Sequence, residues 1–258
     1  MGSLGRAREA RGVGGAKLEA EMKIDVALEP AEIERLGTRD LGGTHCVVLD
    51  VLRATSAMVT GLAEGVEAIC PVTTIEEALA MREGCPGVVL GGERHGDRIE
   101  GFEVGNSPFE YRQLSGRKVV TTTTNGTVAL RACGGARKVA VGAVLNLGAV
   151  TEWLRVEGPE RLLVVCAGTF ETLALEDVWA AGRLLEGFPG ADWTDSARVA
   201  LAVSGQWKDP LEALLASRNG RVLVGKGRRA EVEWCATESL YPVVGEMEGG
   251  WIRSGAFV

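Results

Sequence analysis

The sequence has few aromatic residues and no closely spaced cysteine pair, and each shortage excludes a class of protein. Aromatic residues make up 5% of the 258 residues, which argues against a surface that stacks nucleic-acid bases. A net charge of −7 argues against general polyanion binding, although it leaves room for a local cationic pocket that takes a small anion. Six cysteines without a C-x-x-C pair predict neither a zinc framework nor disulfides, and favour a reducing, cytoplasmic compartment.

Long apolar runs are missing as well. No stretch of about 18 apolar residues is present, so we expect no membrane span, and residues 1–21 lack the apolar core of a signal peptide. These residues are rich in Gly, Ala and Arg without an apolar stripe, which predicts a disordered extension. Because no shift in composition marks a linker after "MKIDVALEP" at Met22, we expect a single folded domain over residues 22–258.

What the chain does have is a repeated alternation of strand and helix patterns. Continuous apolar runs such as "HCVVLDV" (45–51) and "RLLVVCAG" (161–168) are typical of buried strands, and each precedes a helical pattern. After residue 205 the pattern weakens, and "RVLVGKG" and "VEWCATES" favour strands. We therefore predict an α/β fold, a three-layer α/β/α sandwich around a largely parallel or mixed sheet, with its ligand site at the carboxyl ends of strands.

One polar segment, "TTTTNGT", lies between a strand pattern and a helix pattern. Backbone N–H groups at the start of a helix, aided by the helix dipole, would form an anion cradle at Thr123–Gly126. Gly126 would permit either a positive φ or the close approach of a ligand. Since no G-K-[ST] follows, the segment is not a Walker A loop. The alternative is a threonine-rich strand that ends in an Asn-Gly turn.

Charged and polar residues follow the first of the buried strands. Asp50 ends the strand, and Arg53 and Thr55 come directly after it. A carboxylate in this position can hold a divalent cation, and the guanidinium can bind a phosphate or sulfonate through two parallel hydrogen bonds. The alternative is an aspartate that caps a helix beside an arginine that faces solvent.

A pair of adjacent carboxylates comes after a later strand, which ends at Cys166. Glu176 and Asp177 stand in the first turn of the next helix, where negative charge suits the helix dipole. Ordinary helix capping would explain both residues. Placed above the same sheet edge, they could instead complete a magnesium site with Asp50.

A long loop over residues 90–111 contains many charged residues between glycines. It includes Glu93 and Arg94 and ends in "GNSP", which contains Asn106 and Ser107. Long loops with this composition are often functional, and solubility is the alternative explanation. His95 is predicted to be a peripheral loop residue rather than an essential base.

Four of these segments resemble the 2-phosphosulfolactate phosphatase (ComB) family: "DVLRATSA", "GGERHGDRIEGFEVGNSPFEY", "TTNGT" and "ED…AG". They occur in the order found in that family. Two departures are visible, Glu103 where Asp is expected and "TSA" where "TTT" is commoner, and neither removes a charge. The resemblance implies a three-layer α/β/α fold and the Mg²⁺-dependent hydrolysis of (2R)-phosphosulfolactate to sulfolactate, a step towards coenzyme M.

Residue chemistry and the resemblance together predict the site. The catalytic candidates are Asp50, Arg53, Glu93 and Arg94, and the Mg²⁺ ligands are Asp50, Glu176 and Asp177. The substrate-binding candidates are Thr55, Asn106, Ser107, Thr123, Thr124, Asn125, Gly126 and Cys166. Asp50 is either a metal ligand or a nucleophile, and Glu93 is either a ligand or a general base.

The expected partners are a small anionic substrate and, in a homodimer, a second copy of the chain, but neither nucleic acid nor a membrane. Two other functions stay open. One is a phosphatase for another phosphorylated hydroxy acid, and the other is a non-catalytic protein that binds a small sulfonate or phosphate.

Overall fold

The computed structural model describes residues 22–255, so the extension predicted over residues 1–21 lies outside the described part of the chain. Within that part, eleven strands form one sheet, and helices cover both of its faces. No helix in residues 22–255 combines the length and the hydropathy that are needed to cross a bilayer.

The sheet is mixed. Its strands are β1 (Lys23–Ala27), β2 (His45–Leu49), β3 (Ala68–Pro71), β4 (Val89–Arg94), β5 (Asp97–Arg98), β6 (Lys118–Thr122), β7 (Lys138–Gly142), β8 (Arg161–Cys166), β9 (Asp192–Trp193), β10 (Gly245–Glu248) and β11 (Trp251–Ser254). They lie in the order β5-β4-β6-β3-β11-β10-β7-β2-β8-β1-β9. Two parallel groups, β9-β1-β8-β2-β7 and β3-β6-β4, are joined by the antiparallel hairpin β10–β11.

The helices follow the strands much as the sequence predicts. They are α1 (Pro30–Leu36), α2 (Ala54–Ala63), α3 (Ile75–Gly84), α4 (Pro108–Tyr111), α5 (Gly126–Ala132), α6 (Leu147–Glu157), α7 (Leu175–Leu185), α8 (Asp195–Ser204), α9 (Pro210–Ala216), α10 (Arg218–Gly225) and α11 (Arg229–Cys235). Local chemistry sets several starts. The Thr74 hydroxyl, for example, accepts the Glu77 N–H at 3.1 Å and caps α3.

The alternation of side chains along β2 shows the three layers. Val47 and Leu49 pack in one core with Trp179 of α7, whereas Cys46 and Val48 pack in a second core with α1, α2 and α5. All five side chains have no exposed surface. Because successive residues of a strand point to opposite faces, each face of the sheet is covered by its own helical layer. The predicted three-layer α/β/α sandwich is confirmed.

The strands predicted from "RVLVGKG" and "VEWCATES" are wrong, since both segments lie in or next to helices α10 and α11. A short apolar run does not by itself distinguish a strand from a helix. Burial in the structure follows the helical spacing: Gly220 and Leu223 are buried in α10, and Val232 and Cys235 are buried in α11. The correction matters because α10 forms one wall of the site described next.

Candidate active site

A cavity of about 190 Å³ lies where the segments that follow β2, β4, β6 and β8 meet helix α10. Its wall includes six of the residues predicted from the sequence: Asp50, Arg53, Glu93, Asn106, Thr124 and Asn125. These residues come from three separate parts of the chain. The structure thus gathers the polar residues at strand ends into one place.

Asp50 is fixed on the cavity wall by the start of α2. Its Oδ1 accepts the Ala54 N–H at 3.1 Å, and its own N–H donates to Thr55 Oγ1 at 2.9 Å. Thr55 is fully buried and holds the Asp50 backbone instead of lining the cavity. Among the described residues, Oδ2 of Asp50 has no hydrogen-bond partner, which leaves that oxygen for chemistry.

The environment of Asp50 favours its protonated form. Burial, together with the negative charges of Glu93 and Glu176, raises the pKa of Asp50 to about 7, although the N–H of Ala54 and the charge of Arg53 act in the opposite direction. Both of these carboxylates are thus near enough to Asp50 to disfavour its negative charge. Such a cluster is characteristic of a site that receives a cation or handles a proton.

Three backbone amides of the "TTTTNGT" segment, those of Thr123, Thr124 and Thr127, already have partners within the protein. The Thr123 N–H donates to Thr127 Oγ1 at 3.0 Å, and the Thr127 N–H donates back to Thr123 Oγ1 at 3.1 Å. The Thr124 N–H donates to Glu93 Oε1 at 2.8 Å. A protein carboxylate therefore occupies part of the predicted anion cradle, and the segment orients Glu93.

The φ of Gly126 is not positive, so that expected reason for a glycine is wrong. Neighbouring protein atoms supply another reason. A Cβ at this position would lie 2.5 Å from Asp50 Oδ2 and 2.8 Å from Ala54 Cβ. A larger residue at Gly126 would therefore displace Asp50, so such a variant cannot report on an anion cradle.

The Thr124 hydroxyl is one part of this segment that a ligand can still engage. Its Oγ1 is shielded from solvent and has no hydrogen-bond partner among the described residues, while the residue lines the cavity. A buried hydroxyl without a partner is costly, so a bound group that pairs with it gains affinity.

We expect Thr124→Val to leave the melting temperature unchanged or slightly higher, because no hydrogen bond within the protein is lost. Affinity for the substrate should fall about 5- to 30-fold, the equivalent of about 1–2 kcal/mol. Thr123→Val is the matched control, since Thr123 Oγ1 accepts the Thr127 N–H and its loss should lower stability. Thermal melts and substrate KM measure both effects. A Thr124 variant with lower stability and unchanged KM would contradict this reading.

Asn125 holds the loop that follows β8. Its Nδ2 donates to the carbonyl oxygens of Ala167 and Phe170 at 3.1 and 2.9 Å, and its Oδ1 accepts the Phe170 N–H at 3.0 Å. All three bonds join the end of β6 to the end of β8. Asn125 therefore lines the cavity chiefly as a residue that positions Phe170.

Arg53 is a buried arginine whose guanidinium contacts three protein groups. Its side chain is 4% exposed and pairs through Nη1 with Glu231. Nη2 donates to Asn106 Oδ1 at 2.7 Å and to the Gly96 carbonyl at 3.1 Å. Arg53 also lines a second cavity, of about 220 Å³. The guanidinium nitrogens that were predicted to bind a phosphate or sulfonate are thus hydrogen-bonded to protein groups in this structure.

Asp177 ties the ends of two strands together. Its Oδ1 accepts the Val51 N–H at 2.8 Å, and its Oδ2 accepts the Gly168 N–H at 3.1 Å. Burial, with the charges of Glu176 and Asp50, raises the pKa of Asp177 well above its ordinary value. Both oxygens are therefore engaged with the backbone after β2 and β8, which is a different role from the predicted metal ligand.

Glu176 differs from its neighbour Asp177 in having one carboxylate oxygen without a hydrogen-bond partner in the described part of the chain. Its Oε1 accepts a hydrogen bond from Asn219 Nδ2 at 2.6 Å, and its buried Oε2 has no partner among the described residues. Burial raises the pKa of Glu176. In residues 22–255 no three or more carboxylate, imidazole or thiol groups converge as a metal-ligand cluster, so the predicted set of three carboxylates is not assembled.

Three other predicted residues lie off the cavity wall. Arg94 Nη2 donates to Thr122 Oγ1 at 3.0 Å. Ser107 caps α4 by accepting the Phe109 N–H at 3.3 Å. Cys166 is fully buried in the apolar core, and this burial raises the pKa of its thiol well above the ordinary value. These contacts support the loops and the core around the cavity.

Sequence reasoning missed the contribution of α10, whereas His95 is an exposed residue of the loop after β4, where it was predicted. His95 lines the cavity and lies with its ring centroid 5.6 Å from that of Phe170. Arg218 and Val222 of α10, and Lys226 directly after it, also line the cavity. The available signal was that the adjacent residues Arg218 and Asn219, and again Val222 and Leu223, can share one side of a helix, whereas adjacent residues of a strand point to opposite faces.

The fold and the cavity define a class of protein, a three-layer α/β sandwich with buried carboxylates and a buried arginine gathered at the ends of its strands. A family model described as 2-phosphosulpholactate phosphatase matches residues 31–250. The chain belongs to this family, as the resemblance predicted.

Curated relatives are similar to this chain over most of their length. The chain is 39% identical to a probable 2-phosphosulfolactate phosphatase of Thermotoga petrophila over 88% of this chain and 96% of that protein. A protein of the same description from Carboxydothermus hydrogenoformans is 36% identical over 92% and 97%. One from Deinococcus radiodurans is 41% identical over 81% and 90%.

Proposed function

We propose that this protein is a cytoplasmic, Mg²⁺-dependent phosphatase that hydrolyses (2R)-phosphosulfolactate to sulfolactate and phosphate, a step of the coenzyme M biosynthesis type. The observation that carries the proposal is the placement of Asp50 and Glu93 on one cavity wall, with the buried carboxyl group of Glu176 near enough to act on Asp50; burial and these two neighbouring charges raise the pKa of Asp50 to about 7. A protein that only binds an anion gains nothing from clustered carboxylates. Membership of the family supports the choice of substrate.

The oxygens left without partners fit a magnesium ion. Mg²⁺ is usually bound by one or two carboxylates, with waters and substrate phosphate oxygens completing its shell. Of the carboxyl groups of Asp50, Glu176 and Asp177, the first two each keep one oxygen without a partner among residues 22–255, namely Oδ2 and Oε2, so we assign the ion to Asp50 and Glu176 and leave Asp177 to the backbone. A bound Mg²⁺ would offset charge on the phosphoryl oxygens and lower the pKa of a bound water.

The chain's own residues orient the substrate and hold the reacting groups. The Thr124 hydroxyl is free to donate to a phosphoryl oxygen. Glu93 is held at both oxygens, by the Thr124 N–H at 2.8 Å and the Gly96 N–H at 2.6 Å, so its charge is fixed on the wall, where we assign it the role of general base. Asp50 can act as a metal ligand or as a nucleophile, and both roles use the same free Oδ2.

Phosphate release from a panel of esters tests the proposal. The panel contains phosphosulfolactate, phospholactate, phosphoglycolate and 3-phosphoglycerate, each assayed with Mg²⁺ and with EDTA. We expect the highest kcat/KM with phosphosulfolactate and loss of turnover in EDTA. A higher kcat/KM with another phosphorylated hydroxy acid would favour that ester as the substrate. Binding of phosphosulfolactate without any phosphate release would reject the enzyme and favour a binding protein.

A further inference from the structure

One face of helix α10 forms a wall of the cavity. Arg218, Asn219, Val222, Leu223 and Lys226 all line it, with the spacing of three to four residues that places side chains on one side of a helix. The wall therefore carries two cations and an amide next to two apolar side chains. None of the roles proposed above uses Arg218.

The start of α10 is anchored beside the carboxylate cluster. Asn219 Nδ2 donates to Glu176 Oε1 and to Thr169 Oγ1, both at 2.6 Å. Ser217 caps the helix by accepting the Gly220 N–H at 3.0 Å. Because Asn219 is held on both sides, the backbone of its neighbour Arg218 is also fixed in relation to the proposed metal ligand Glu176.

Arg218 differs from the other cations of the cavity in having no carboxylate partner. Arg53 pairs with Glu231, and Lys226 Nζ lies 3.0 Å from both oxygens of Asp97. The side chain of Arg218 forms neither an ion pair nor a hydrogen bond with any residue in the described part of the chain. It is the cation of this wall that an anionic group can engage without breaking an existing pair.

The Arg218 guanidinium is also placed for such a contact. Its carbon lies 5.5 Å from the centroid of the Phe170 ring, and Asn125 fixes the Phe170 backbone at both N–H and carbonyl. An arginine stacked on a ring keeps its N–H edges directed outward, where they match the paired oxygens of a carboxylate or sulfonate. The stack limits the motion of an otherwise exposed side chain.

We propose that Arg218 binds the anionic group of the substrate that is not transferred, a carboxylate or sulfonate, and thereby selects phosphoesters that carry a second negative group. This inference rests on the proposed function, because the phosphoryl end of the substrate is assigned to the Asp50 side of the cavity. Arg218 then acts in substrate recognition and takes no part in proton transfer.

The test compares Arg218→Met and Arg218→Lys with the control Arg221→Met, which alters an exposed arginine of the same helix that does not line the cavity. We expect Arg218→Met to lower kcat/KM for phosphosulfolactate on the order of 30- to 100-fold, mainly through KM, with partial recovery in the Lys variant. For ethyl phosphate, which lacks a second anionic group, kcat/KM should change less than about threefold in the same variant. Phospholactate and 2-phosphooxyethanesulfonate show whether the carboxylate or the sulfonate is the group bound.

Product binding gives a readout that does not need turnover. Calorimetry should show weaker binding of sulfolactate to Arg218→Met and unchanged binding of inorganic phosphate. An equal loss with ethyl phosphate, or unchanged KM and unchanged sulfolactate affinity, would overturn the role of Arg218. If the parent protein releases no phosphate from any ester, the proposed function fails, and sulfolactate affinity of parent and variant still decides the role of Arg218.

Discussion

Replacing Asp50 with Asn is expected to lower kcat/KM by about three orders of magnitude while making the metal-free protein more stable at pH 8. The activity falls because the free Oδ2 loses its charge and its affinity for Mg²⁺, whichever role it has. The Asn side chain keeps the Oδ1 that accepts the Ala54 N–H, so the local fold should persist.

The stability gain follows from the direction of the pKa shift. The pKa of Asp50 is raised from 3.8 to about 7 in the folded protein, so the folded state holds a proton that the unfolded state has lost between these values. Stability therefore decreases as pH rises through that window, and Asp50 is most costly above pH 7. At pH 8 in EDTA, Asp50→Asn should melt about 2–4 °C higher than the parent, the shift that roughly 1 kcal/mol produces in a chain of this size.

Asp25→Asn is the control, because we expect it to change stability in the opposite direction. Although burial alone would raise the pKa of Asp25, hydrogen bonds from Ser196 and Thr194 hold this pKa below its ordinary value. Its stabilising effect is present above the unfolded pKa and is lost as pH falls, so this variant should melt lower than the parent at pH 8. An Asp50→Asn variant that is destabilised at pH 8, or that retains full activity, would contradict the role assigned to Asp50.

Arg53→Lys is expected to lower kcat/KM by roughly 30- to 1000-fold, which corresponds to about 2–4 kcal/mol. A lysine cannot reproduce the separate bonds to Glu231, Asn106 and the Gly96 carbonyl, because its three donors radiate from a single nitrogen. The carboxylate of Glu231 would also lose part of its pairing in a largely buried place, which is costly.

The control for Arg53 is Arg228→Lys. Arg228 donates to the same Gly96 carbonyl at 2.9 Å but lines only the second cavity. We expect that variant to stay within about threefold of the parent in kcat/KM. Circular dichroism and thermal melts show whether each variant is folded at the assay temperature. A folded Arg53→Lys protein with kinetics equal to the parent would remove Arg53 from the site.

The elements with strong local signals could be predicted from the sequence. Pro30 and the hydroxyl of Thr74 stand where α1 and α3 begin, and the helix pattern that follows "TTTTNGT" corresponds to α5, which begins at Gly126. Continuous apolar runs gave β2 and β8 because strands buried on both faces need no polar alternation. Local chemistry is sufficient where a cap or a periodic pattern determines the element.

The parts of the fold and of the site that could not be predicted depend on contacts between distant parts of the chain. The partner of Arg53 is Glu231, 178 positions away, and no local pattern indicates that pairing. The hairpin β10–β11 inserts between β7 and β3, so the last strands of the chain lie in the middle of the sheet. The "TTTTNGT" segment was identified as functional, yet its donors hold Glu93 and the β8 loop, which only the tertiary structure shows.

The decisive measurement is the rate of phosphate release from (2R)-phosphosulfolactate by the full chain with Mg²⁺, beside Asp50→Asn prepared in the same way. We expect the parent to release phosphate and sulfolactate in equal amounts, and the variant to do so about a thousandfold more slowly. No release by the parent, or equal rates for the two proteins, would contradict a phosphatase site built on Asp50.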